Sequence, residues 1–347
     1  MAHPPMAYSE KEAHQVRVLV TGGLGVNGSW VVRRLVEQRH DVVILENRDD
    51  RSLLPDVADD VRVAVGDVAN SGQVRSVFDE YQPDVVVHMA AIIGADRDPL
   101  AAVRVNIGGT AAICEAAAAT GVARVVYTSS RAAYGALTGR HGHPDYVPVT
   151  EDHPRQPVGL YDVTKLSCEE LGRWYARNRG IEFVSLRFAT IFGPGKLQRH
   201  GGFSAYSSMI ELPAAGEPVQ LAHGGDQRDD AIYVVDIAEA VVAATLAPTP
   251  LPHDVYNVGT GRTVSLHELA EAVRDAVPGA TIDIGPGLDP MGMGISYYGA
   301  LDSTRAQVEL GWKPQFTLGA AVKHYLTALD RLELLPARSP SPDSQEY

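Results

Sequence analysis

The sequence predicts an α/β fold: a Rossmann-like, doubly wound parallel sheet with a smaller, discontinuous C-terminal substrate lobe. Three observations predict it. Short, nearly continuous apolar runs alternate with helical patterns through the first half of the chain, as expected for parallel strands covered on both faces. A glycine-rich turn joins the first run to the first helix. After Phe188 glycine and proline become frequent and the alternation gives way to longer irregular stretches.

The elements follow in order. Val16–Thr21 reads as a buried strand, and Leu24–Arg39 as a helix with Val31, Val32, Leu35 and Val36 on one stripe. Asp41–Leu45 and Val61–Val65 are the next strands. A helix follows near Gln73–Tyr81, closed by Pro83. Asp84–Met89 is a β-branched strand, and Pro99–Thr120 a long alanine-rich helix ended by Gly121. Arg124–Thr128 and Phe183–Phe188 are further strands, with a helix around Tyr161 between them. Val255–Gly259 reads as a strand returning to the main sheet, and helices are expected at Leu266–Val277 and Leu318–Leu334. The expected division is 15–189 plus about 231–262 for the nucleotide-binding domain, with about 190–230 and 263–335 for the substrate lobe. Residues 1–14 read as a disordered polar leader and 336–347 as a disordered tail rich in proline and serine.

Composition narrows the partners. The 347 residues carry 43 acidic and 30 basic side chains, a formal charge of −13. No concentrated Lys/Arg tract is available to follow a phosphate backbone, which argues against nucleic acid. No apolar run approaches membrane-spanning length, which argues against a membrane. The two cysteines, Cys114 and Cys168, fall in helices and lack metal-ligand spacing, so a reducing, cytoplasmic compartment is expected. The twelve histidines are scattered, His141 and His143 among them in a loop, and no metal site is expected.

The strongest chemical signals are two. Thr21–Gly28 follows a strand, opens a helix and carries Gly22, Gly25 and Gly28 three apart. That context marks a dinucleotide site: the glycines allow a tight turn, close approach to a pyrophosphate and close helix–strand packing. Free N–H groups at the helix start then face the phosphates, Val26 and Asn27 among them. Glu46, eighteen residues after Gly28 at the end of the second strand, is placed to accept hydrogen bonds from a ribose and to repel a 2′-phosphate. This favours NAD over NADP, although Arg48 and Arg51 stand close by. Asn47, Asp67 and Val68 complete the adenosine end, with Asp67 placed to reach the adenine edge.

The second signal is Tyr161 and Lys165, one helical turn apart on one face. A tyrosine is a poor base at its ordinary pKa of about 10, and a neighbouring ammonium favours the phenolate. The pair therefore points to acid–base chemistry near neutral pH. Ser130 lies just beyond a strand, at the carboxyl edge where open α/β sheets bind ligands.

These residues together resemble the extended short-chain dehydrogenase/reductase family, which includes nucleotide-sugar epimerases, dehydratases and sugar dehydrogenases. The resemblance runs from Val16 to about Leu334. It rests on the glycine loop, His88-Met89-Ala90-Ala91, Asn106, Thr128-Ser129-Ser130, Tyr161 with Lys165, Arg187-Phe188, Phe192-Gly193-Pro194, Arg228-Asp229-Asp230 with Asp236, and Asn257-Val258-Gly259. It implies that Ser130 bonds the reacting oxygen, that Tyr161 moves the proton, and that Lys165 lowers the Tyr161 pKa and holds the nicotinamide ribose. It adds Met89, Ala90, Ala91 and Asn106 to the cofactor site. It places Ile93, Ser130, Arg131, Tyr134, Thr190 and Arg228 at the substrate, Arg228 on a phosphate. It also implies a homodimer, through the helices carrying Tyr161 and Asn106, which a monomeric mass in solution would refute.

Departures from the family narrow the activity. Arg131-Ala132 stands where the family's dehydratases carry Asp-Glu, which disfavours elimination of water. Removal and return of a hydride needs only Ser130, Tyr161, Lys165 and the cofactor. The expectation is an NAD-dependent sugar or nucleotide-sugar 4-epimerase. The alternatives are an NAD-dependent dehydrogenase or reductase of a free sugar, hydroxy acid or other small alcohol, and a non-catalytic dinucleotide-binding regulator. Thr190 replaces the asparagine that nucleotide-sugar members use near the substrate phosphates. Tyr134–Gly159 is expected to flap over the cleft, Met291–Gly294 is a flexible stretch near the expected substrate contacts, and Tyr297 and Tyr298 are candidates for stacking, with core packing the default.

Overall fold

The computed structural model describes residues 15–200 and 205–334; the expected leader and tail lie outside the described residues. Seven parallel strands form the central sheet: β1 (Arg17–Thr21), β2 (Asp41–Glu46), β3 (Arg62–Val65), β4 (Val85–His88), β5 (Arg124–Ser130), β6 (Glu182–Phe188) and, last in the chain, Val255–Val258. Their order across the sheet is β3-β2-β1-β4-β5-β6 and then Val255–Val258, so the direction of winding reverses between β1 and β4. The registers Thr21↔Leu45, Thr21↔His88 and His88↔Tyr127 bring the strand ends level at that reversal. A crevice opens beyond such strand ends, and ligands bind there.

Alternation along the strands separates two cores. Val18, Val20, Ile44, Val87, Val126 and Val184 face one side, where α1 (Val26–Glu37) packs. Leu19, Val43, Leu45, Val86, Val125 and Phe183 face the other. There they meet α2 (Ser71–Tyr81) and the helical run of α3 (Pro99–Ala102), a widened π stretch Val103–Gly108, and α4 (Gly109–Thr120). Helix α5 (Leu160–Arg179) packs on that face too. Asn70 caps α2 by accepting from the N–H groups of Gly72 and Gln73. Gly121 ends α4 and Gly180 ends α5 in the left-handed region, at φ 75° in both.

The second half adds α6 (Lys196–His200), α7 (Ala205–Ala214), α8 (Val234–Leu246), α9 (Leu266–Ala276), α10 (Thr304–Glu309) and α11 (Leu318–Arg331). Two-stranded ladders join Thr190–Phe192 to Ala231–Tyr233, Arg228–Asp229 to Val264–Ser265, and Val219–Leu221 to Ile282–Ile284. Its apolar side chains, including Met209, Ile210, Leu269, Val322 and Tyr325, are continuous with the core beneath α1 and α8.

Most expected elements stand where the sequence places them, with two differences. The long helix expected over Pro99–Thr120 is continuous, but its middle turn widens at Val103–Gly108. The stretch Tyr134–Gly159 is stitched down at its base: Leu137 donates to the Ser296 carbonyl at 2.7 Å, Val149 to that of Ala300 at 2.9 Å, and Asp302 returns a bond to Val149 at 2.8 Å. Backbone bonds of this kind fix the segment against 296–302, so it is a docked wall and not the free flap expected.

Candidate active site

One cavity of about 580 Å³ runs along the carboxyl ends of the strands. The glycine loop forms its middle. Gly22 has φ 74°, and a Cβ there would stand 2.8 Å from the Ala90 nitrogen. A Cβ on Gly28 would meet the Gly22 carbonyl oxygen at 2.1 Å. Both positions exclude a side chain, and α1 is thereby held close enough for its N-terminus to face the cavity. Asn27 lines it too, and its buried Oδ1 has no hydrogen-bond partner. Free N–H groups at the helix start suit a dinucleotide's phosphates, and the orphaned Asn27 oxygen can accept from a donor such as a ribose hydroxyl, so the residues fit that group.

At one end lie Glu46, Asn47, Asp67 and Val68. The Glu46 carboxylate accepts from the Asn47 N–H at 3.1 Å, and burial raises its pKa above the ordinary carboxylate value. Arg51 is turned to Asp49, at 2.8 Å, and to the Ala58 carbonyl. Asp67 pairs with Arg104 at 2.9 Å and accepts from the Ala69 N–H, which together lower its pKa.

At the other end lie Ser130, Tyr161 and Lys165. Ser130 ends β5, with its hydroxyl beside the Tyr161 side chain. Asp162 fixes the start of α5 by accepting from the N–H groups of Val158 and Gly159, both at 3.0 Å, and so sets where Tyr161 and Lys165 point. The Lys165 ammonium donates to the Thr128 carbonyl at 2.6 Å and lies 5.6 Å from the centre of the Tyr161 ring. Burial draws it down to about 8. The expected lowering of the Tyr161 pKa does not appear. Burial raises that phenol well above its ordinary value, Asp162 adds to the rise, and the Ser130 hydroxyl opposes it. Desolvation of the phenolate outweighs a cation at that distance.

Every residue expected at the cofactor lines this cavity except Asn106. Asn106 sits behind the wall: its side chain bonds Ile92 in both directions, at 2.8 and 3.1 Å, and Thr164 of α5 at 3.1 Å. It positions the Ile92 loop against α5 and does not reach the cavity. Of the residues expected at the substrate, Ile93 and Ser130 line the cavity, while Arg131, Tyr134, Thr190 and Arg228 do not. Tyr134 is buried, donating to Asn257 at 2.6 Å and packed under the Arg187 guanidinium. Arg131 forks onto Asp229, and Thr190 bonds both partners at 2.6 Å. Arg228 pairs with Glu268 at 2.9 Å and with the Thr263 carbonyl. Tyr297 donates to Asp162 and Tyr298 to Asp289. Sequence reading missed Arg104, Phe188, Ala189, Ile191 and Lys196 on the cavity wall. The Arg187-Phe188 motif offered a signal for Phe188, and the glycine-proline-glycine turn one for Lys196.

The two arginines differ in what they support. Asp229 is fully buried and Arg131 nearly so. Asp229→Ala is expected to lower stability by about 3–5 kcal/mol, because it strands a buried guanidinium. Arg228→Ala breaks a half-exposed pair and is expected to change stability by less than about 1 kcal/mol. Urea midpoints of the two variants check the contrast.

Residues 18–259 match the NAD dependent epimerase/dehydratase family. The chain is 31% identical over 314 residues to a UDP-glucose 4-epimerase of Mycolicibacterium smegmatis, covering 88% of this chain and 96% of that one. Among solved structures, the UDP-glucose 4-epimerase of Thermus thermophilus in complex with NAD superposes with TM-score 0.75 at 27% identity, over 90% of this chain and 99% of that one. The Bordetella bronchiseptica enzyme WbmG, in complex with NAD and UDP, gives 0.75 at 26%, over 93% and 97%.

Proposed function

We propose that this chain, which belongs to the NAD dependent epimerase/dehydratase family, is a nucleotide-sugar 4-epimerase. The observation that carries the proposal is Ser130, Tyr161 and Lys165 gathered at one end of a cavity whose middle and far end suit a dinucleotide. Relatives that match over most of the chain include UDP-glucose 4-epimerases and a dTDP-L-rhamnose 4-epimerase, which supports the substrate class.

NAD, when bound, supplies the hydride acceptor and a positive charge. The chain's own residues handle the proton. Ser130 would orient the sugar 4-hydroxyl toward Tyr161, whose oxygen, once ionised, would take that proton as the hydride leaves and return it when the hydride comes back. Lys165 would steady the phenolate before it takes the proton and hold the nicotinamide ribose. Arg131, locked to Asp229, has no part in proton transfer, and no acid–base pair follows Ser130 to drive elimination. Glu46 disfavours a 2′-phosphate, in keeping with NAD.

The lobe formed by about 190–230 and 263–335 would hold the nucleotide sugar. The assembly would be a homodimer, supported by the exposed apolar side chains Leu100, Val103, Val163 and Trp174 on the helical run before α4 and on α5. Two free, buried thiols suit a cytoplasmic setting. A second reading, a dehydrogenase or reductase of a free sugar or hydroxy acid, draws on Thr190, which is engaged with Asp229 where nucleotide-sugar members present an asparagine to phosphate. Incubation with UDP-glucose separates the two. The 4-epimerase reading expects UDP-galactose by chromatography and no net rise in reduced-nicotinamide absorbance. Stoichiometric reduction of added NAD with a free sugar or hydroxy acid, and no epimer from UDP-glucose, would favour the second reading.

A further inference from the structure

Lys196 opens α6, is only 9% exposed and lines the cavity alongside Gly25, Val26 and Asn27. Its ammonium donates to the Ile191 carbonyl at 2.6 Å. No carboxylate is paired with it among the described residues, and burial alone draws its pKa down to about 7. A lysine this enclosed is ordinarily paired with an acid. One bond to a neutral carbonyl leaves two N–H groups of a charged donor still to satisfy.

The surroundings say what those N–H groups face. Lys196 and Ile191 bring this segment onto the cavity wall. At one end Thr190–Phe192 emerges beside the Ser130 end of the sheet. At the other, Arg199 bonds Asp50 and Ser52, both at 2.8 Å, and a Cβ on Gly195 would stand 3.0 Å from the Leu53 side chain. The segment is thus fastened to the loop that follows Glu46, and it crosses between the two ends of the cavity. The middle of that span belongs to the glycine loop and the N-terminus of α1. Among the described residues, three cations line the cavity: Arg104, Lys165 and Lys196. Arg104 is neutralised by Asp67, and Lys165 is fixed beside the phenol. Lys196 has neither a counterion nor a partner in the proton chemistry.

We infer that Lys196 is the counterion of the cofactor's pyrophosphate, closing over it from the side opposite the α1 N-terminus. This rests on the NAD-binding part of the reading above and not on the identity of the sugar. The strap carrying Lys196 is tied to the adenosine end through Arg199 and Gly195, so the cation helps retain the dinucleotide through turnover. Retention suits an enzyme that must take its hydride back.

The test uses the full-length protein stripped of nucleotide, with NAD and ADP-ribose as probes in titration calorimetry. Lys196→Met is expected to weaken both ligands by the same factor, about ten- to hundredfold, as loss of a charge-assisted hydrogen bond to phosphate requires. Lys196→Arg is expected to recover most of that loss. Thermal melts without ligand are expected to show Lys196→Met no less stable than the parent, since it removes a buried unpaired charge. Equal affinity of the parent and Lys196→Met for both ligands would overturn the inference, as would a loss confined to NAD, which would place the contact on nicotinamide. If Lys196→Met does not fold, Lys196→Gln carries the same comparison. Failure of the parent to bind either nucleotide would instead refute the cofactor reading itself.

Discussion

Tyr161→Phe is expected to reduce turnover by about 10²–10⁴-fold while leaving bound NAD and the melting temperature unchanged. The factor is what a positioned acid–base group contributes. The selectivity follows from the site. The phenol oxygen lies beside Ser130, while the ring packs beside Lys165, and neither contact holds α5 in place. The start of α5 is held by Asp162, and its flank by Asn106 through Thr164. Removing one oxygen therefore takes away the proton carrier and little else. Steady-state rates, nucleotide content of the purified protein and a melt check the three parts. Unchanged turnover would sink the assignment of Tyr161, and with it both enzyme readings. The resting state adds a constraint. Burial raises the phenol's pKa and so opposes the loss of its proton, which must precede oxidation of the sugar. The positive charges of Lys165 and of bound oxidised NAD both favour that loss.

Gly28→Ala is expected to cut NAD bound per chain to below about a tenth and to lower the melting temperature. A Cβ at Gly28 would stand 2.1 Å from the Gly22 oxygen and 2.8 Å from the Gly23 Cα. Both are backbone atoms in the turn that closes on the cofactor, so no side-chain rotation relieves the clash. The turn or α1 must shift, at a cost of about 1–3 kcal/mol or more, and the N–H groups that face the phosphates shift with it. Gly25 makes a sharper comparison, because a Cβ there would approach only the Gly22 oxygen, at 3.2 Å. Gly25→Ala is expected to perturb the fold less than Gly28→Ala. Nucleotide extracted from each purified variant, together with a melt, measures both effects. Full NAD content in Gly28→Ala would contradict the packing described.

What was legible in the sequence is what local chemistry sets. Strand runs such as Val85–His88 and the glycine spacing after Thr21 carry their own signal, because β-branched residues and positive-φ turns constrain the backbone nearby. The positions of Glu46, Ser130, Tyr161 and Lys165 on one cavity followed from the parallel order of the strands. The rest depended on partners far along the chain. Arg131 meets Asp229 across 98 residues, and Tyr134 meets Asn257 across 123. No spacing rule announces either bond; both side chains were expected at the substrate, and neither lines the cavity. Lys196 was hidden for the opposite reason. It follows a glycine-proline-glycine turn that reads as a loop, and its burial comes from the place of α6 on the cavity wall. The Tyr161 pKa was misjudged because a charge pair can be read from a four-residue spacing, whereas enclosure cannot.

The central claim is that a hydride leaves the sugar's C4 and returns to it with Tyr161 carrying the proton. It is tested most directly with UDP-glucose deuterated at C4, followed by NMR as UDP-galactose forms. The account predicts that the deuterium stays at C4 of the product, with no net rise in reduced-nicotinamide absorbance and with formation slowed by about 10²–10⁴-fold in Tyr161→Phe. Exchange of that deuterium with solvent during epimerisation would contradict it.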